Sequence, residues 1–164
     1  MNVFVTPIGA ALLCLSTSVA RAESSPEELM RGVLKAFEAK DTAQLKTLSA
    51  PEADVKKFIW PAVASRMAPG GTMDGKKFVS MYLTNSNAAI NEQLAKVGGK
   101  TLELVKVAVG EPTKQTKNYR LLPGPVTTVR DEAGKEQELK LVGGILETNS
   151  DFKVATYYVS PIKR

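Results

Sequence analysis

Three observations predict an α+β fold. Apolar residues recur at helical spacing through the first half of the chain, from Pro26 to Val97. Short alternating runs of β-formers fill the second half, from Thr101 to Val159. Glycine pairs and turn sequences separate those runs at hairpin spacing. Helices first and strands afterwards, with no linker long enough to part them, predict N-terminal helices packed on a curved antiparallel β-sheet.

The first helix begins at Ser25-Pro26-Glu27-Glu28. Ser25 is placed to cap, Pro26 suits the first helical position, and Glu28 completes a capping box. Leu29, Val33, Ala36 and Phe37 then share one face. Asp41 starts a short helix that turns Leu45 and Leu48 inward. Pro51 starts another, grouping Val55, Phe58 and Ile59, and Trp60-Pro61 is expected to interrupt it, because proline disfavours a helical residue before it. Pro69-Gly70-Gly71 reads as a loop.

A longer helix is expected from Gly75 to the Gly98-Gly99 stop. Its buried side is traced by Phe78, Met81, Tyr82, Asn85, Ala89, Ile90, Leu94 and Val97. Asn85 is the polar member of that stripe.

Thr101 to Val109 reads as a strand whose alternation slips near Leu104-Val105, the mark of a bulge. Asn118 to Leu122 is a second short strand. Pro123-Gly124-Pro125 bends or breaks the chain, and Val126 to Arg130 resumes it. Asp131-Glu132-Ala133-Gly134 makes a hairpin turn. Leu139, Leu141 and Ile145 point inward on the returning strand, where Gly143-Gly144 marks a bulge or strong bend. Asn149-Ser150-Asp151 turns back into Phe152, Val154, Thr156 and Tyr158, expected on one face.

The N-terminus carries a different signal. Val3 to Leu15 is almost wholly apolar, and Ala20-Arg21-Ala22 fits the small-x-small pattern of a signal-peptidase site. Cleavage is expected between Ala22 and Glu23, giving a periplasmic or secreted protein with one domain over residues 23–164. A retained anchor would need about 20 apolar residues, more than this run supplies, so no stable membrane span is expected after cleavage. Lipid attachment at Cys14 would call for a small residue before it, where Leu13 stands.

Composition narrows the chemistry. The chain of 164 residues has no histidine and one cysteine, Cys14, inside the expected signal. No Ser-His-Asp or Cys-His arrangement can form in the exported part, and no disulfide. Without those ligands a metal would need clustered carboxylates. The nearest cluster, Asp131-Glu132 with Glu136 and Glu138, sits on a turn, so neither metal nor cofactor is expected. Gly70-Gly71-Thr72 lacks the lysine and spacing of a phosphate loop. The net charge of +5 is interspersed, with Lys56-Lys57 and Lys76-Lys77 the densest basic pairs. No nucleic-acid surface is expected, because such surfaces cluster basic residues and interleave aromatics.

The order of elements resembles the nuclear transport factor 2-like superfamily of cone-shaped α+β domains. Leading helices over Pro26 to Ile59, the Asp74-Gly75 turn into a long helix, and the bulged hairpin meander from Val126 to Val159 carry that resemblance. It spans nearly all of the exported chain and is topological. Similar folds include proton-moving enzymes on small apolar substrates, periplasmic lipid carriers, and modules that bind or dimerise. The resemblance implies a cavity between the long helix and the curved sheet.

Three functions stay open at this level. The leading one is a binding domain for a small apolar molecule, a lipid or a protein partner, with Trp60, Phe78, Tyr82, Tyr119 and Tyr158 lining the cavity and Asn85 adding a polar contact. Tyr157-Tyr158 places one ring on each side of the last strand, leaving one available to a partner or a second copy of the chain. The second is a histidine-free acid/base enzyme of isomerase or cyclase type, with Asp74 or Glu111 as base and Tyr82 stabilising an oxyanion. The third is an assembly protein with a filled interior. If the signal reading is right, the intact mass of protein recovered from a periplasmic extract should match a chain beginning at Glu23; a full-length mass would count against it.

Overall fold

The computed structural model describes residues 23–67, 73–149 and 151–158. The expected signal with Cys14, the loop at Pro69-Gly70-Gly71, Thr72, Ser150 and Val159 lie outside them. Among the described residues, no helix is long and apolar enough to cross a membrane.

The helices come first: α1 (Pro26–Glu38), α2 (Thr42–Thr47), α3 (Glu52–Asp54), a π-turn (Val55–Ile59), α4 (Trp60–Ala64) and α5 (Gly75–Val97). Each long helix starts at its expected cap. The Ser25 hydroxyl accepts from the Glu28 amide at 3.1 Å, and the Asp74 carboxylate accepts from the Lys77 amide at 2.8 Å. The capping box is shifted by one residue, since the Glu28 carboxylate accepts from the Ser24 amide at 3.0 Å.

Trp60-Pro61 does not break the chain's helical path. Proline lacks an N–H, and its ring collides with the carbonyl four residues back in a regular helix. The π-turn answers this by widening the coil, so that the Trp60 amide donates to the Val55 carbonyl, five residues back. Trp60 itself stays helical at φ −55° and ψ −50°.

Seven strands follow: β1 (Glu103–Ala108), β2 (Lys114–Gln115), β3 (Arg120–Pro123), β4 (Val126–Arg130), β5 (Glu136–Leu139), β6 (Val142–Thr148) and β7 (Asp151–Tyr157). All strand pairs are antiparallel. They form two sheets, in the orders β1-β4-β5 and β2-β3-β6-β7, and the short β2 is an element the sequence pattern did not announce. The expected slip in β1 is present as a register shift between Leu104 and Lys106.

The two sheets are halves of one long bent hairpin. Pairing runs from Arg120↔Glu147 through Pro123↔Gly144 in one sheet and from Thr127↔Leu139 through Arg130↔Glu136 in the other. Pro123-Gly124-Pro125 is where the strand leaves one sheet for the other, with the Gly124 amide donating to the Gly143 carbonyl at 3.0 Å. Glycine is required at this corner by close approach. A Cβ on Gly124 would stand 2.0 Å from the Val142 carbonyl oxygen.

A bulge also corrects the reading of β7. Val154 pairs with Ile145 and Thr156 with Gly144, so Ala155 is an extra residue that turns the remaining side chains over. Phe152 and Val154 are buried as expected, but Tyr157 then enters the core in place of Tyr158, and Thr156 and Tyr158 stay half-buried.

The interior has two apolar clusters. One joins α1, the C-terminal half of α5 (Ala89, Ile90, Val97), Ile145, Val154 and Tyr157. The other joins Val55, Ile59, the N-terminal half of α5 (Phe78, Val79), Leu146 and Ala155. Adjacent strand residues face opposite sides. Ile145 and Leu146 therefore feed different clusters, and the larger sheet is covered on both faces.

Two polar side chains tie the layers together. Tyr157 donates through its hydroxyl to the Leu45 carbonyl at 2.8 Å, its ring edge-on to Phe37, and buried Gln93 donates from Nε2 to the Tyr158 carbonyl at 2.8 Å. Each such bond contributes roughly 1 kcal/mol.

Gly124→Ala should lower stability by roughly 3 kcal/mol, because the methyl meets backbone that cannot retreat without opening the corner. Gly144→Ala, whose methyl meets nothing closer than 3.5 Å, should cost far less. Equal urea midpoints for the two variants would contradict this account of the bend.

Candidate functional site

The π-turn and the start of α5 bring the aromatic residues together. The Trp60 ring lies 4.9 Å from Phe78, Phe78 lies 5.7 Å from Tyr82, and Phe58 lies 5.0 Å from Tyr119, all in tilted contact. Trp60, Phe78, Tyr82 and Tyr119 thus join one packed apolar cluster. Phe58 belongs with them. Its grouping with Val55 and Ile59 was visible in the sequence, but its role in linking Tyr119 was not.

Trp60 reaches this place because Gly75 lets it. A Cβ on Gly75 would stand 3.0 Å from the indole Nε1, so the ring lies directly against the first turn of α5.

Of the six expected lining residues, Asn85 and Tyr158 lie outside this cluster, and of the other four only Tyr82 borders a cleft beside α5. Asn85 is exposed, as is Met81 at 41%. The middle of α5 is where the helix passes from one apolar cluster to the other, and there no element covers the stripe that Asn85 occupies. Tyr158 stands outside the aromatic cluster because the Ala155 bulge turned its neighbour inward instead.

The acid/base candidates are not brought together. Asp74 is an exposed helix cap whose carboxylate is engaged with the Lys77 amide. It stands eight residues from Tyr82 on the same helix, about 12 Å along the axis. Glu111 is exposed on the connection after β1. Among the described residues, no hydrogen bond or ion pair joins either carboxylate to Tyr82. Among these residues, no group of three metal-ligating side chains lies close enough to hold an ion.

The clefts along α5 lie on its side toward α2, α3 and the π-turn, with Ala155 of β7 lining one of them. A groove runs between α5 on one side and α2, α3 and the π-turn on the other. It consists of two clefts that share Glu52 and Leu83. One, of about 250 Å³, is lined by Lys46, Ser49, Ala50, Tyr82, Ser86, Asn87, Ile90 and Ala155. The other, of about 440 Å³, is lined by Lys56, Gly75, Lys76, Val79 and Ser80. On α5 the lining positions recur every three or four residues from Lys76 to Ile90, which makes one continuous stripe. The floor is apolar and the rim carries lysines and hydroxyls.

Tyr82 is the unusual member. Its hydroxyl is buried and has no hydrogen-bond partner among the described residues. Burial raises its pKa, so the phenol stays protonated and keeps its donor. Thr127 and Asp151 also carry buried oxygens without a hydrogen bond among the described residues, but neither borders the groove, and the Asp151 oxygen stands 4.0 Å from the Lys153 ammonium.

A wider cleft of about 450 Å³ lies where Gly99–Leu102 meets Asp131–Ala133. It gathers none of the aromatic residues. Compared with known families, curated proteins and solved structures, the chain matches none.

Gly75→Ala should shift the emission of Trp60, the sole tryptophan of the chain, because the ring must move off the new methyl. The stability change should stay within about 1 kcal/mol, since alanine favours the helix where glycine does not. An unchanged emission spectrum would contradict the contact.

Proposed function

We propose that the protein is exported and binds, in the groove beside α5, a small molecule with an apolar chain and a hydrogen-bond-accepting oxygen. The reading includes a periplasmic location and a nuclear transport factor 2-like domain type.

The Tyr82 hydroxyl carries this reading. Buried polar groups in native proteins are nearly always paired. Tyr157 and Gln93, whose side chains are buried more deeply, both have partners. Tyr82 has none, and its side chain lines a cleft whose floor is Ala50, Leu83, Ile90 and Ala155. Ligand sites join an apolar surface to a few polar groups that fix orientation. A ligand oxygen is the partner that this phenol lacks among the described residues. The clefts, near the lower end of the roughly 300–1,000 Å³ usual for such sites, suit one chain better than two.

Monolaurin, an uncharged single-chain ester, is a suitable probe. Titration should change Trp60 emission and saturate. Tyr82→Phe should leave the free protein as stable or up to about 1 kcal/mol more stable, because it removes an unpaired buried hydroxyl. The same change should weaken monolaurin binding about fivefold, the worth of one hydrogen bond. If Tyr82→Phe destabilises the free protein and leaves binding untouched, the hydroxyl is structural and the reading loses its support.

A further inference from the structure

We infer that the ligand's polar end is an anion, a carboxylate or a phosphate, held at the Tyr82 end of the groove. The inference rests on the binding role proposed above and specifies its ligand class.

Charge around the groove is one-sided. Lys46, Lys56 and Lys76 line it from three elements, α2, the π-turn and α5, against one carboxylate, Glu52. None of these three lysines makes an ion pair with another described residue, whereas Lys96, Lys153, Arg120 and Arg130 do. Two further acids stand on the adjoining segments, Asp54 and Asp74; neither lines the groove, and Asp74 turns its carboxylate to the Lys77 amide. A concave surface with a low-dielectric floor and one sign of charge at its rim concentrates the opposite charge.

The smaller cleft supplies matching hydrogen bonds. Tyr82 offers a phenol that stays protonated, and Ser86, Asn87 and Lys46 offer a hydroxyl, an amide and an ammonium. Donors to an ionised acceptor form the stronger class of hydrogen bond. The larger cleft, floored by Val79 and Leu83, continues the groove from there. From the level of Ser86, where the head's donors lie, to Gly75 the stripe on α5 extends about 16 Å, enough for a twelve-carbon chain. The head then lies beside Tyr82 and the tail runs toward Gly75 and the Trp60 ring.

The test compares three ligands with one twelve-carbon chain: laurate, dodecyl phosphate and uncharged monolaurin. Binding is read by calorimetry and by Trp60 emission. Both anions should bind roughly five- to tenfold more tightly than monolaurin, and the tighter of the two identifies the head. Lys46→Gln, an exposed substitution, should weaken the anions about threefold and weaken monolaurin distinctly less. Raising salt from about 0.1 M to about 1 M shortens the screening length from about 10 Å to about 3 Å, and should narrow the gap.

Should monolaurin bind as tightly as laurate and dodecyl phosphate, with Lys46→Gln and salt having no effect, the anionic head is overturned while the binding role survives. If no ligand of the three binds, the binding role itself falls.

Discussion

Strand β7 has hydrogen bonds on both of its edges, and the placement of every other element depends on that. On one edge it pairs with β6 from Val142↔Tyr157 to Thr148↔Asp151. On the other, the Val154 amide donates to the Leu48 carbonyl at 2.8 Å, the Ala50 amide donates to the Val154 carbonyl at 2.9 Å, and the Phe152 amide donates to the Glu23 carbonyl at 3.1 Å. A buried strand cannot leave such groups unpaired without losing their full desolvation cost. The chain after α2 is thus held against the sheet as a short parallel bridge, which fixes where α3 and the π-turn begin. The same edge is closed to pairing with another chain at those positions.

From that anchor the groove follows. The π-turn accommodates Pro61 without ending the coil, so Trp60 arrives against Gly75 and α5 sets out beside the π-turn. The two halves of α5 serve different clusters, because the larger sheet is covered on both faces. A helix shared in this way cannot be fully covered along its length. The stripe from Lys76 to Ile90 faces a neighbour that only partly reaches it, and the groove is the gap that remains.

The composition limits what that gap can do chemically. With no histidine and with the only cysteine at position 14, the side chains near the groove are lysines, hydroxyls, one amide and Glu52. A buried phenol with a raised pKa is a lasting donor and a poor base at neutral pH. Such groups are hydrogen-bond donors and cations, the complement of an accepting or anionic partner. Elsewhere on the surface, Arg120 makes a two-pronged pair with Glu147 at 2.6 Å across β3 and β6. That pair stiffens the sheet without touching the groove.

Much of the fold was readable from residue order. Ser25 and Asp74 start their helices, Gly98-Gly99 ends α5, and Pro123-Gly124-Pro125 turns the strand, because capping, helix termination and tight corners are decided by a few adjacent residues. Local chemistry also put Phe78 and Tyr82 about one turn apart on α5, whereas the contact of Trp60 with Phe78 is made between two helices. What the residue order left undecided depends on neighbours distant in the chain. Periodicity gave the angle of Asn85 on its helix but not which element stands over that turn. Alternation placed Tyr158 inward until one extra residue, Ala155, reversed the strand and buried Tyr157 instead. The groove, the unpaired Tyr82 hydroxyl and the facing lysines exist only because the edge of β7 holds α2 and the π-turn beside α5. A sequence specifies which faces avoid water, and only the assembled fold decides where two such faces fail to meet.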